Sequence, residues 1–199
     1  MNLPNKLTLT RIILIPFFIV AFYGLCFTGH YFISLGIFAI ASITDFFDGY
    51  IARKYNMVTD LGKFLDPIAD KVLVLTGLIV LLADPNSTNV FTQIGSWGLI
   101  LGGVGVSVIM AREMTVSSLR MMAAKKGIVL AAEKIGKVKT FFTDVTIIVL
   151  LFTGDMLVLA PSVGKILDYV GLVCFGISVI LTVISGISYL VKNKEVFAE

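Results

Sequence analysis

The sequence is poor in charged residues and in the nitrogen and sulfur side chains that bind transition metals. Only 15% of its 199 residues are charged, and it contains two cysteines and one histidine. Cys26 and Cys174 lie in apolar stretches, which is typical of small buried hydrophobic side chains and not of a disulfide or a metal pair. His30 lies in a predicted turn far from the acidic residues, so we interpret it as incidental to function.

Hydrophobic residues are abundant and make up 57% of the chain. They form six apolar segments at about 9–27, 31–51, 68–83, 94–111, 138–152 and 169–191. Between the last two segments, the stretch from Gly154 through Pro161 to Gly164 predicts a turn. A helix of roughly 20 apolar residues crosses a bilayer. The first segment is not followed by a small-residue cleavage site and is predicted to be a retained helix. The sequence therefore predicts an all-α, polytopic membrane protein, with six transmembrane helices in a single domain over residues 1–199.

The basic residues indicate the orientation of this domain. Of the 16 lysines and arginines, all except Lys165 fall on one side of the predicted spans. Cationic loops are retained in the cytoplasm. We therefore predict a protein of the cytoplasmic membrane with both termini in the cytoplasm, surrounded by membrane lipids. No nucleic-acid partner is predicted.

Four carboxylates border the second and third apolar segments. Asp45 and Asp48 are three residues apart and Asp66 and Asp70 four apart, so on helices each pair projects from one face. The intervening loop is short enough to make the two helices antiparallel neighbours. Four carboxylates brought together in this way repel one another unless a divalent cation lies among them. An all-oxygen set favours a hard ion such as Mg²⁺ or Mn²⁺.

Two glycines accompany these carboxylates. Gly49 directly follows Asp48, and Gly62 lies one helical turn before Asp66. Each removes a side chain beside the predicted metal, which would let a bulky ligand approach the backbone. A single such aspartate or glycine would be interpreted as an interfacial or packing residue, but the complete set in register favours a functional site.

The full pattern is D-x2-D-G-x2-A-R-x8-G-x3-D-x3-D. Through it the chain resembles the CDP-alcohol phosphatidyltransferase family, and the resemblance extends over the whole chain. It implies a homodimer that transfers the phosphatidyl group of CDP-diacylglycerol to an alcohol and releases cytidine monophosphate. The matching positions are Asp45, Asp48, Gly49, Ala52, Arg53, Gly62, Asp66 and Asp70.

The resemblance also implies a role for each matching residue. Asp70 would be the catalytic base as well as a metal ligand. A carboxylate that shares its hold on a metal is able to accept the hydroxyl proton of the acceptor. The metal ligands would be Asp45, Asp48, Asp66 and Asp70. The cytidine-diphosphate part of the lipid would contact Asp45, Gly49, Ala52, Arg53 and Gly62.

Basic residues that enter the later spans predict a phosphate on the acceptor. Arg112 ends the fourth span, Arg120 lies eight residues further along the same helical face, and Lys137 and Lys139 open the fifth span. Arginine binds phosphate bidentately and lysine binds it as a point charge. Topology and anionic headgroups alone would explain Lys125, Lys126, Lys192 and Lys194.

Secondary motifs narrow the acceptor within the family. Arg112-Glu113, the Gly136-Lys-x-Lys-Thr140 segment and the amino-terminal segment with Thr8 and Arg11 resemble a bacterial branch that uses sn-glycerol 3-phosphate. Thr8 and Arg11 are added to the site as further candidates. Inositol phosphate, serine and phosphatidylglycerol remain alternative acceptors. Asp144, one turn beyond Thr140, has no assigned role and would oppose a phosphate if it faced the cavity.

A cation channel or transporter is the alternative from another functional class. It would explain acidic residues in membrane helices. It gives no reason for the positions of the glycines and of Arg53, and the acids cluster at one membrane face instead of crossing the bilayer.

Overall fold

A computed structural model describes residues 3–24, 29–54, 60–84, 90–126 and 134–193 of the chain. Within these ranges it describes all side chains except those of residues 3–7, 45–54, 60–67, 90, 125 and 134. Nearly all of the described residues lie in helices, and none of them lies in a β-strand. The all-α prediction is therefore confirmed for this part of the chain.

Six long helices and one single-turn helix make up the described structure. In chain order they are α1 (Leu3–Phe22), α2 (His30–Lys54), α3 (Asp60–Leu82), α4 (Val90–Gln93), α5 (Ser96–Lys125), α6 (Lys134–Leu159) and α7 (Pro161–Lys192).

Each predicted apolar segment corresponds to one long helix, and every helix extends beyond its segment at one end or at both. One difference from the prediction lies at residues 154–164, where glycine and proline predicted a turn. There α6 continues to Leu159 and α7 begins at Pro161, so that only Ala160 separates them. Proline is favoured at the first position of a helix because its missing N–H has no partner to lose there. Pro161 therefore starts a helix instead of lengthening a loop.

Three stretches of the described helices are long and apolar enough to cross a membrane: Ser96–Ala124, Ile135–Leu159 and Pro161–Lys192. Thr8–Phe22 and His30–Thr44 are shorter apolar helices. Large apolar side chains on the outer faces are exposed, among them Val20, Trp97 and Ile166. Exposed apolar faces of this extent are expected of a protein surrounded by lipid. The chain is thus a helical membrane protein, and the number of six spans stays a prediction.

The most extensive packing joins α6 to α7. Buried α7 residues alternate three and four positions apart, and most of them are small or polar; they are Gly164, Asp168, Gly171, Phe175, Ser178, Thr182, Ser185 and Tyr189. A Cβ atom on Gly171 would lie 2.5 Å from Leu150 Cδ2. Small residues let membrane helices approach closely enough for extensive van der Waals contact.

A carboxylate on α6 holds the start of α2. Asp155 Oδ1 accepts a hydrogen bond from Gly29 N at 3.1 Å, and Asp155 Oδ2 accepts one from Phe32 N at 2.7 Å. The first N–H groups of a helix have no partner within the helix, so this distant carboxylate acts as its cap. Beside it, the Tyr31 hydroxyl donates to Asp84 Oδ2 at 2.9 Å. These contacts fix the end of α2 opposite to the end that carries Asp45 and Asp48.

Candidate functional site

The aspartate motif lies on α2 and α3. Asp45 and Asp48 fall in the last part of α2, and Asp66 and Asp70 in the first part of α3. These two helices pack against each other, as the short predicted connection required. Asp70 is the one motif carboxylate whose side chain is described. The predicted contacts of the other motif residues lie outside the described side chains and stay predictions; these residues are Asp45, Asp48, Gly49, Ala52, Arg53, Gly62 and Asp66.

Asp70 lines a small cavity of about 30 Å³ between α3, α5 and α6. Charged, threonine and apolar residues line it; they are Asp70, Lys71, Val74, Leu75, Ile109, Glu113, Lys139, Thr140 and Thr143. A space of this volume accommodates about one water molecule. The structure thus brings the predicted base, Asp70, and one of the predicted phosphate-binding cations, Lys139, into one cavity.

A carboxylate lies between two of the predicted phosphate-binding cations. Glu113 Oε1 accepts hydrogen bonds from Arg112 Nη1 at 2.9 Å and from Lys139 Nζ at 2.7 Å. All three side chains are largely buried, with exposed fractions of 18% for Glu113, 13% for Arg112 and 4% for Lys139. Charge-assisted hydrogen bonds of this length are among the stronger polar contacts in proteins. Two cations and one anion leave this cluster with a formal excess of one positive charge.

Two glycines make room for Arg112. A Cβ atom on Gly186 of α7 would lie 3.2 Å from Arg112 Cγ, and one on Gly136 of α6 would lie 3.4 Å from Arg112 Nη2. The guanidinium is therefore held between α6 and α7. Its Nε is buried, and no described residue accepts a hydrogen bond from it. A buried donor in this state is available to an additional acceptor oxygen.

The other two predicted phosphate-binding cations differ from Arg112 and Lys139 in burial. Lys137 is exposed and Lys139 buried, because residues two apart on a helix point to different sides. Arg120 is also exposed. Its Nε donates to the Tyr189 hydroxyl at 3.2 Å, and its guanidinium lies 5.6 Å from the centre of the Tyr189 ring. Of the four predicted cations, Arg112 and Lys139 are the two that contact Glu113 among the described side chains.

Thr8 and Arg11, the further candidates, are both fully buried on α1. Their helix packs against α2 and α3, the two helices of the aspartate motif. Asp144 is half-buried on α6 and is not among the described residues that line the cavity. Its predicted opposition to a phosphate therefore does not arise in this cavity.

The predicted metal site involves side chains beyond those described. Among the described side chains, no group of three or more histidine, cysteine, aspartate or glutamate residues is able to hold a metal ion. Three of the four predicted ligands, Asp45, Asp48 and Asp66, are not among them. The metal therefore stays a prediction from the motif.

Sequence reasoning missed Glu113, which was noted only as the neighbour of Arg112. It also missed the hydroxyls of Thr140 and Thr143, which line the cavity. The Thr143 hydroxyl donates to the Lys139 carbonyl oxygen at 3.0 Å and also contacts the Ser178 hydroxyl, which ties the start of α6 to α7. A signal was available in Glu113, because a carboxylate placed beside predicted phosphate ligands needs a cationic partner of its own.

Long apolar helices, together with a buried cluster of charged groups at one end of the bundle, define a membrane protein with a polar site. Comparison with known families gives a more specific assignment. The family model described as CDP-alcohol phosphatidyltransferase matches residues 1–188. The chain belongs to this family of enzymes, which confirms the resemblance and leaves no support for a channel or transporter.

Individual relatives agree with this assignment over nearly their full length. A protein of Rickettsia felis is 40% identical over 200 residues, which cover 98% of this chain and 97% of the relative. A Bacillus subtilis protein is 38% identical over 205 residues, covering 98% and 96%. One from Salmonella typhimurium is 39% identical over 191 residues, covering 95% and 93%. All three are named CDP-diacylglycerol--glycerol-3-phosphate 3-phosphatidyltransferase.

Proposed function

We propose that the chain transfers the phosphatidyl group of CDP-diacylglycerol to sn-glycerol 3-phosphate, producing phosphatidylglycerophosphate and cytidine monophosphate. The observation that carries this proposal is that Asp70 and Lys139 line the same cavity. A carboxylate able to accept a proton and a buried cation able to bind phosphate are therefore close enough to act on one acceptor. The names of the relatives, which specify the same donor and acceptor, support it.

The reaction needs a base at the acceptor hydroxyl, and we assign this role to Asp70. The hydroxyl oxygen forms a bond to the phosphorus of the phosphatidyl group as its proton passes to the Asp70 carboxylate. The bond from that phosphorus to the oxygen of cytidine monophosphate breaks, and the nucleotide leaves with the bonding electron pair. Asp70 is half-buried at the cavity, so its carboxylate is partly shielded from competing water.

The donor site is assigned to the remaining motif residues. Asp45, Asp48, Asp66 and Asp70 would hold a divalent cation, and four carboxylates suit Mg²⁺ or Mn²⁺. An ion held by these carboxylates would supply positive charge beside the leaving phosphate. The cytidine-diphosphate part would contact Gly49, Ala52, Arg53 and Gly62, together with Asp45.

We narrow the acceptor phosphate site to Arg112 and Lys139. Both belong to the buried cluster, and the structure supports their proximity to Asp70 through the cavity that Lys139 shares with it. Lys137 and Arg120 are exposed, so we assign them no direct contact with the acceptor phosphate. Thr8 and Arg11 are proposed to support the donor side, because α1 packs against α2 and α3.

In the cell, we propose a homodimer in the cytoplasmic membrane, with six spans and with the Asp70 end of the bundle facing the cytoplasm. The distribution of basic residues supports this orientation. In this orientation, soluble glycerol 3-phosphate reaches the site from the cytoplasm and cytidine monophosphate is released there. The donor lipid enters the site from the bilayer.

Release of cytidine monophosphate by the purified enzyme tests the proposal. With CDP-diacylglycerol and Mg²⁺, release should require glycerol 3-phosphate and stop when a strong chelator is added. Lys139→Met should lower kcat/KM for the acceptor by about tenfold to a hundredfold, the effect of losing one charge-assisted contact. Lys137→Met is the matched control, and it should change kcat/KM for the acceptor little, because Lys137 is exposed. Release that needs no added acceptor, or equal effects of the two variants, would contradict the assignment.

A further inference from the structure

Glu113 takes no part in the proposed transfer reaction, although it contacts both proposed phosphate ligands, Arg112 and Lys139. Its Oε1 atom accepts from Arg112 Nη1 at 2.9 Å and from Lys139 Nζ at 2.7 Å. Because both donors contact one oxygen, the two nitrogens lie no more than 5.6 Å apart. Glu113 thus occupies the position between the two cations that an oxygen of a bound phosphate would take.

The burial of these cations explains why an anion is needed there. Lys139 has only 4% of its side chain exposed and Arg112 has 13%. Two buried cations in proximity are costly unless they are paired and hydrogen-bonded. Glu113 supplies a negative charge that both cations share, which stabilises the site when no acceptor is bound.

Glu113 and Lys139 line the same cavity as Asp70, which measures about 30 Å³. An acceptor phosphate that contacts Lys139 from this cavity therefore meets the Glu113 carboxylate. Because Glu113 Oε1 already accepts from both cations, the phosphate has to displace it in order to contact both of them.

Donor groups for a phosphate are already in place. Arg112 Nε is buried, and none of the described side chains or carbonyls accepts from it. The lysine ammonium has three N–H donors and the guanidinium five, whereas each cation gives one hydrogen bond to Glu113. A phosphate has more acceptor oxygens than the single Oε1 atom and so would satisfy donors that Glu113 leaves unused.

We propose that Glu113 is the resident anion of the acceptor phosphate site and competes with the acceptor phosphate for Arg112 and Lys139. An acceptor that carries a dianionic phosphate displaces Glu113, because it brings more negative charge and more oxygens to the two cations. Glu113 thereby lowers the affinity of the site for phosphate and keeps the two cations paired when no acceptor is bound. This inference rests on the proposed function.

The Glu113→Gln variant tests it, since glutamine keeps the shape and removes the charge. Binding of inorganic phosphate to the purified, folded protein is measured by calorimetry without turnover. We expect its Kd to fall by about tenfold, because the carboxylate that competes with phosphate for Arg112 and Lys139 becomes neutral. KM for glycerol 3-phosphate should fall in parallel, and KM for CDP-diacylglycerol should stay unchanged. The preference for glycerol 3-phosphate over glycerol should increase, because glycerol has no phosphate that competes with Glu113.

Two further variants separate local competition from other causes. Asp144→Asn removes a negative charge from α6 at a residue that does not line the cavity, and it should leave phosphate affinity unchanged. If Asp144→Asn gained as much phosphate affinity as Glu113→Gln, the gain would be explained by net charge alone, and the role of Glu113 would be overturned. Glu113→Asp retains the charge but shortens the side chain by one methylene, so it should weaken the double contact. It should change phosphate affinity in the same direction as Glu113→Gln but by less, and it replaces that variant if the latter does not fold.

The outcomes distinguish this inference from the function on which it rests. Normal use of glycerol 3-phosphate by the wild-type enzyme, with phosphate affinity unchanged or weaker in folded Glu113→Gln, would overturn the role of Glu113 alone. Wild-type protein that neither binds phosphate nor releases cytidine monophosphate with glycerol 3-phosphate would instead refute the proposed function.

Discussion

Asp70 of α3 and Lys139 of α6 line the same cavity although they lie far apart in the sequence. Helix packing brings them together: α3 packs on α6, and α6 packs along α7. In the proposed reaction, the hydroxyl of the acceptor meets Asp70 while its phosphate meets Lys139. Catalysis and acceptor recognition thus depend on the position of α3 relative to α6.

Removing the charge of Asp70 should nearly abolish turnover. Asp70→Asn keeps the size of the side chain but cannot accept the hydroxyl proton as a carboxylate does, and it contributes less to metal binding. General base catalysis alone is worth about a hundredfold to ten-thousandfold. The rate of cytidine monophosphate release is measured on detergent-purified protein whose circular dichroism matches that of the wild type. Turnover like that of the wild type would remove Asp70 from the mechanism.

Displacing Arg112 indirectly should impair use of the acceptor. In Gly186→Ala the new Cβ atom would lie 3.2 Å from Arg112 Cγ, so the arginine must shift by a few tenths of an ångström. Because Arg112 belongs to the proposed phosphate site, KM for glycerol 3-phosphate should rise several-fold, by about 1 kcal/mol in binding. KM for CDP-diacylglycerol should not change.

Gly176→Ala provides the matched control on the same helix, because a Cβ atom there would have no neighbour within 4 Å. Both variants gain the helix stability that alanine offers over glycine, about 0.5–1 kcal/mol. Only Gly186→Ala should alter acceptor kinetics. An equal change of KM in both would show that the position of Arg112 is not responsible.

The contact between Asp155 and the start of α2 should matter for stability more than for chemistry. Asp155→Ala leaves the N–H groups of Gly29 and Phe32 without this acceptor. Loss of a helix cap costs about 0.5–2 kcal/mol, so the thermal unfolding temperature in detergent should fall. Asp155→Asn keeps one acceptor oxygen, so its unfolding temperature should lie between those of the wild type and Asp155→Ala. Turnover per folded molecule should hold at low temperature, because Asp155 lies at the end of α2 opposite to the aspartate motif, and a selective loss of turnover would contradict this view.

Single cysteines test the orientation of the bundle. In a background without Cys26 and Cys174, a membrane-impermeant thiol reagent applied to intact cells should label cysteine at position 87 or 162. It should not label positions 125 or 194. The distribution of lysine and arginine gives this expectation. External labelling of position 125 would place the Asp70 end of the bundle outside the cell.

Local patterns in the sequence predicted much of the fold. Apolar segments indicated the long helices, because a helix in lipid must be apolar over most of its length. The predicted turn at 154–164 was wrong in extent, since Pro161 occupies the one helical position that favours proline. The cap that Asp155 provides for α2 was not predictable, because it joins residues more than a hundred positions apart.

The candidate site was predictable in its residue types but not in its pairing. Arg112 and Lys139 were selected because they are cations that enter the membrane with their helices, and the structure places them on one carboxylate. Lys137 was selected for the same reason, yet it is exposed, because the rotation of α6 about its axis is decided by packing against α7. The pairing of Glu113 with Lys139 could be recognised only in the folded structure, because it joins side chains of α5 and α6 that are 26 residues apart.

The acceptor identity tests the account most directly. The purified enzyme is offered one CDP-diacylglycerol preparation with glycerol 3-phosphate, inositol 1-phosphate, serine and phosphatidylglycerol in parallel, and cytidine monophosphate release is measured for each. We expect a clear preference for glycerol 3-phosphate, and little turnover with serine, which carries no phosphate to displace Glu113. Preference for inositol 1-phosphate would keep the phosphate site but contradict the proposed acceptor, and preference for serine would contradict both.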